Sequence, residues 1–168
     1  MYFADLSPCN YFSFGRSERL RAVGWLAWGH PYRERQAELT QDNFRQLLRL
    51  LVNPWEPLHF MGQHECDFCF GNEEAARRFT LERYGFVIHF GASNLFVPGR
   101  GCIYVAPSMI AHYMDAHDYE PPAEFWEAVL SCPEMDSATY RRALIVNGPS
   151  DPKWTRGLKK AWYAFYRR

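Results

Sequence analysis

Apolar residues recur at helical spacing in one long stretch. Phe44, Leu47, Leu48 and Leu51 follow the i, i+3, i+4, i+7 pattern of a single buried face. The pattern predicts a helix from Thr40, its N-cap, to Val52, with Asn53-Pro54 as the stop. A short helix is expected over Glu73 to Glu82. Strand-like runs follow at Phe86 to Phe90, Asn94 to Val97 and Cys102 to Val105. Pro98-Gly99-Arg100-Gly101 separates the last two runs with turn-forming residues, so they should make a hairpin.

Pro107 then suits the first turn of a helix reaching about Ala116. Pro121-Pro122 breaks the chain and opens another helix, with Phe125, Val129 and Leu130 turned inward. A further short helix near Ala138 to Leu144 would take Asp136 as its N-cap. The segment Thr155 to Arg168 places Leu158, Ala161, Trp162 and Phe165 on one face. Residues 1 to 38 read as irregular, with short apolar strips such as Val23-Gly24-Trp25-Leu26.

The expected fold is α+β: a small antiparallel sheet, with its hairpin around residues 94–105, flanked by helices. Its length, 168 residues, suits one domain over 1–150 and a basic amphipathic C-terminal helix over 151–168, packed on that domain or extending from it.

Composition narrows the function classes. Formal net charge is zero, which argues against a surface built wholly around nucleic acid or anionic lipid. The charge is nevertheless uneven. Between Asp151 and Arg168 stand one acid and six bases, so this tail alone could meet nucleic acid. Neither a basic, apolar leader nor an apolar run near the ~18 residues of a membrane span is visible. The expected location is the cytoplasm, where five cysteines should stay reduced.

In that compartment Cys66-x-x-Cys69 reads first as a metal-binding pair. Two thiolates three positions apart on a tight turn can both reach one ion, and zinc asks for four such donors in a tetrahedron. Two other uses compete. Free cysteines are often plain core residues, and a Cys-x-x-Cys pair can be redox-active in a thioredoxin-like βαβ setting, which nothing before Cys66 supplies.

The remaining ligands would come from His64, His112 and His117. His112 and His117 fall inside the H-x3–5-H spacing of zinc fingers, but residues 70 to 111 intervene where a finger has about 12 positions. A treble-clef-like arrangement, with ligands from the first turns of a helix, fits better. His112, within two turns of Pro107, is the third ligand on this reading, and His64 and His117 compete for the fourth. His117 shares a helix face with Ile110, Tyr113 and Met114, which also suits a core histidine. The expected cofactor is a structural Zn2+.

The chain also resembles an uncharacterised family of bacterial proteins. The resemblance lies in Met1-Tyr2 with Asp5-Leu6, Val23-Gly24-Trp25-Leu26 with Gly29-His30-Pro31, and His64-x-Cys66-x-x-Cys69. It continues through Tyr104-x-Ala106-Pro107-x-x-Ile110-x-His112-Tyr113 to His117-x-Tyr119-x-Pro121-Pro122. It covers roughly residues 1 to 135 and implies a common fold and a shared metal site, with no activity attached.

Three functions remain open at this stage. A zinc-stabilised interaction or accessory protein of the immunity type, with another protein as partner, leads. Nucleic-acid binding through residues 155–168 is the second. A zinc-dependent hydrolase or nuclease using Asp115, Glu65 or whichever histidine is not a ligand as base is the third.

Overall fold

The computed structural model describes residues 1–12, 18–55, 64–69 and 79–165, with side chains of the last helix described as far as Lys159. The central sheet is built on the expected hairpin. Strand β4 (Asn94–Pro98) pairs antiparallel with β5 (Ile103–Pro107), and Gly99 N–H donates to Cys102 O at 2.9 Å across the loop. Nine of the ten residues in these two strands are buried. Both faces of the hairpin are therefore covered, which explains why its sequence is apolar from Leu95 to Pro98 and from Ile103 to Pro107 rather than alternating.

A third strand makes this sheet mixed rather than purely antiparallel. β1 (Leu20–Ala22) lies parallel to β5, giving the order β1-β5-β4. Three residues carry too little pattern to be read as a strand. What holds them is the paired edge of β5, and Trp25 just beyond donates its indole N–H to Val105 O at 2.8 Å.

The second sheet is a separate two-stranded hairpin of β2 (Thr80–Arg83) and β3 (Phe86–His89). The helix expected over Glu73 to Glu82 is thus corrected at its end: residues from Thr80 onward are strand, and 73–78 lie outside the described residues. The turn between these strands is Tyr84-Gly85, with φ of 52° and 80°. Two consecutive positive φ values are the type I′ geometry that matches strand twist, and Gly85 meets that demand without a Cβ penalty.

Helix α1 (Gln41–Val52) runs from its Thr40 N-cap as expected and buries Phe44, Leu47, Leu48, Leu50 and Leu51 against β3 and the third helix. Helix α2 (Ile110–Ala116) starts three residues later than expected, because Pro107 ends β5 instead of opening the helix. Helix α3 is Ala123–Leu130. Phe125 and Val129 are buried, but Leu130 is 52% exposed, so its inward orientation is corrected. It sits a full helical step of about 100° past Val129.

Helix α4 (Ala138–Asn147) is capped by Ser137, not Asp136: the Ser137 hydroxyl accepts the Tyr140 N–H at 3.0 Å. Helix α5 (Pro152–Phe165) buries Trp154 and Leu158 in the common core, with Trp154 6.1 Å from Phe96, ring centre to ring centre. No helix among the described residues is long and apolar enough to cross a membrane.

Candidate metal centre

Helix α2 carries His112 in its first turn and ends at Ala116, so His117 is its C-cap. In a regular helix two residues five apart point about 140° away from each other, which would send these imidazoles to different ions. The helix stops in time. His117 adopts φ −132° and ψ 18°, outside helical values, while its N–H still donates to Tyr113 O at 3.1 Å. The departure swings the His117 ring back beside His112, with ring centres 5.1 Å apart.

The loop 64–69 approaches this end of α2. Cys69 N–H donates to Cys66 O at 3.4 Å, closing the turn that presents both sulfurs on one side. Cys66 Sγ lies 3.2 Å from His117 Nε2, and Cys69 Sγ lies 3.3 Å from His117 Nε2 and 3.4 Å from His112 Nε2. One donor atom from each of Cys66, Cys69, His112 and His117 falls within 4.8 Å of every other.

These spacings fit a metal. Zinc bonds of about 2.3 Å to sulfur and about 2.0–2.1 Å to nitrogen set the S···N edges of a tetrahedron at about 3.5 Å. A single Nε2 set at nearly equal distance from two sulfurs is also what shared ligation of one ion produces. The Cys66/Cys69/His112/His117 group can therefore hold a metal ion. His64, which competed with His117, is outside the group.

The pocket favours uncharged donors when no metal is bound. Burial pushes the Cys66 thiol up to about 12, and burial together with neighbouring His117 lowers His112 to about 4. Burial also lowers His117. Aromatic rings wall the centre. Phe68, between the two cysteines, has its ring centre 5.4 Å from His117, 5.5 Å from Tyr32 and 5.9 Å from Tyr113. Phe90 lies 5.8 Å from His112.

What sequence reasoning missed is the clamp that holds His117. Tyr32 donates its hydroxyl to His117 O at 3.2 Å. Arg35 donates to Met114 O at 3.0 Å and to Asp118 Oδ1 at 2.5 Å, and its backbone N–H reaches Asp118 O at 2.7 Å. Asp118 itself sits at φ +50°, a left-handed conformation that costs a non-glycine residue energy and needs such support. One step on, buried Tyr119 donates to both oxygens of Asp5 at 2.9 Å, and Asp5 also takes the Gly24 N–H at 2.9 Å. Gly24 approaches α2 so closely that a Cβ would meet Ile110 Cγ1 at 2.9 Å. The N-terminal motif residues thus support α2 at both ends, Gly24 at Ile110 and Asp5 at Tyr119. No local signal in the sequence marks Arg35, because its partners lie some 80 positions away.

If the group holds a metal, Arg35→Ala is expected to weaken its binding about 10- to 100-fold, as loss of an outer-shell support does, while Arg35→Lys recovers part of the affinity. Chelator competition on the purified variants measures this. Equal affinity in all three proteins would remove Arg35 from the site.

Fold and site together define an α+β protein with a Cys2His2 group able to hold a metal ion. Residues 1–130 match a domain of unknown function, DUF7919, and the chain belongs to that family. The match takes in all four residues of the group and ends with α3. No curated protein and no solved structure matches the chain.

Proposed function

We infer that Cys66, Cys69, His112 and His117 form a structural zinc site, and that the chain is a zinc-stabilised interaction or accessory protein of the bacterial cytoplasm, of the immunity type. The observation that carries this reading is the completeness of the donor set. Four protein donors fill a tetrahedron, whereas catalytic zinc keeps one position for water or substrate. Two soft thiolates with two imidazoles also select zinc over hard cations. The ion would tie the loop 64–69 to α2, and through the Tyr32–Arg35 clamp to the N-terminal segment. Exposed Trp28 and the chain's high arginine content supply contact residues of the kind enriched at protein interfaces.

One observation favours a hydrolase instead: a cavity adjoins Cys69 and His112. The candidate bases argue the other way. Asp115 Oδ1 is held by two Arg83 N–H groups at 2.6 and 3.1 Å, and Glu65 is solvent-exposed. A cobalt-substituted sample separates the two readings. A closed site keeps its visible spectrum when azide is added, and an open one changes it. Partner binding is tested by affinity capture from the native host with zinc-loaded and chelator-treated chain. A specific partner that depends on zinc is expected, and capture of none would count against the interaction reading.

Zinc affinity should fall on acidification. Ligation as thiolate displaces the thiol proton, and in the metal-free pocket that proton is held firmly on Cys66. Lower pH therefore favours the protonated, metal-free side. Two displaced protons give about a hundredfold loss per pH unit. His112, lowered to about 4, is already neutral near pH 7 and adds nothing to the slope there. A plot of log affinity against pH should have a slope of about two between about pH 6 and 8. A flat profile would exclude thiolate ligation.

A further inference from the structure

We propose that the groove between β2 and α2 receives an extended peptide segment of a partner protein, which adds as a third strand to the β2–β3 hairpin. The inference rests on the interaction reading above and names the partner's chemistry.

Among the described residues β2 pairs with β3 alone. The direction of its other backbone groups follows from the pairing. Phe90 N–H donates to Phe79 O at 2.7 Å, which makes 79 and 90 a hydrogen-bonded pair. Such pairs alternate along an antiparallel ladder, so Leu81 with Ile88 and Arg83 with Phe86 are bonded across the hairpin. The two-residue turn at Tyr84-Gly85 requires the same phase. Thr80 and Glu82 therefore point their N–H and C=O groups away from β3, and both residues are exposed.

These outward groups repeat every two residues, about 6.8 Å apart, which is the period another strand needs. Along this edge lies a cavity of about 420 Å³. All four residues of β2 line one side, and His112 and Asp115 of α2 line another. The volume is within the range of real ligand sites, about 300–1,000 Å³. Among the described residues these groups have no strand partner, and such a row beside a cleft is the arrangement used in strand addition.

Charge sets a preference for the incoming segment. Arg83 is turned onto Asp115, so its charge is already matched. Glu82, in the middle of the edge, would then favour a basic residue directly opposite it. Because Cys69 and His112 also line the cavity, zinc would fix one wall of the groove, and peptide binding should weaken when zinc is removed.

The test pans the zinc-loaded full chain against a phage-displayed library of random peptides of about ten residues. A selected peptide is then synthesised and its effect on amide hydrogen exchange is read residue by residue. The expected result is slower exchange at Thr80 and Glu82 by at least about tenfold, with little change at Leu81 and Arg83, whose amides already belong to the hairpin. Glu82→Pro, which deletes an outward donor and spares the hairpin bonds, should weaken binding at least about tenfold. Glu82→Lys, which keeps the donor, should disfavour peptides selected for a basic residue.

Peptide that binds without protecting Thr80 and Glu82, or binds both variants as well as the parent chain, overturns the proposal. So does failure to select any peptide, or protection of the same two amides by concentration-dependent dimerisation of the chain itself. Zinc content of the same sample keeps the two readings apart. One zinc per chain without strand addition overturns the groove and leaves the zinc site standing. Strand addition on a zinc-free chain supports the groove and overturns the metal reading.

Discussion

Cys66→Ser is expected to lower zinc affinity at least about a thousandfold. Zinc-finger peptides bind with about 10–16 kcal/mol at neutral pH, and a thousandfold loss is about 4 kcal/mol, roughly the share of one ligand in four. Serine keeps the shape but offers a hydroxyl that does not ionise near neutral pH and a harder donor that zinc prefers less beside imidazole. The loss should be local. None of Cys66, Cys69, His112 and His117 lies on β4, β5 or α1, so far-UV circular dichroism should persist. Faster amide exchange should be confined to the loop 64–69 and the end of α2. Chelator competition measures the affinity, and an unchanged value would show that Cys66 is ordinary core.

The second large effect concerns the other end of the molecule. Trp154→Ala is expected to destabilise the chain by about 3–5 kcal/mol, the usual cost of truncating a buried aromatic residue. Trp154 is 1% exposed, packs against Phe96 of the central hairpin, and donates its indole N–H to Leu144 O at 3.2 Å. Truncation removes the packing and the indole hydrogen bond, leaving Leu144 O at the end of α4 with the Gly148 N–H at 3.1 Å. Arg19 reaches the same corner, donating to Gly148 O at 3.2 Å, so α4, α5 and the start of β1 share one support. Urea unfolding should show a lower midpoint in a single transition. Zinc affinity should not move, since Cys66, Cys69, His112 and His117 lie on other elements and distant effects add independently. A variant that unfolds at the same urea concentration as the parent chain would show that α5 contributes nothing to the core.

The pattern of the sequence revealed the parts whose signals are local. Helix α1 was legible because four apolar residues and a Pro stop define one face and one end. The hairpin of β4 and β5 was legible because Pro98 to Gly101 can only turn. The cysteine pair and His112 were legible as a spacing and a helix start. The choice between His64 and His117 was not, since it depends on where α2 ends, and the helical period alone sends His117 the wrong way. Strand β2 was hidden because three of its four residues are exposed and show no alternation, and the signal that could have found it was Tyr84-Gly85. β1 is held by a strand more than 80 positions away. The same distance hid Arg35. Of the segment 155–168 expected to meet nucleic acid, side chains beyond Lys159 lie outside the described residues.

X-ray absorption at the zinc edge tests the central claim most directly, because the height of the edge counts the metal and the fine structure identifies its neighbours. Purified without a metal-binding tag, the chain should give one zinc atom with two sulfurs at about 2.3 Å and two nitrogens at about 2.0–2.1 Å. An edge no higher than buffer after growth in zinc-supplied medium, or a first shell made of oxygen, would contradict it.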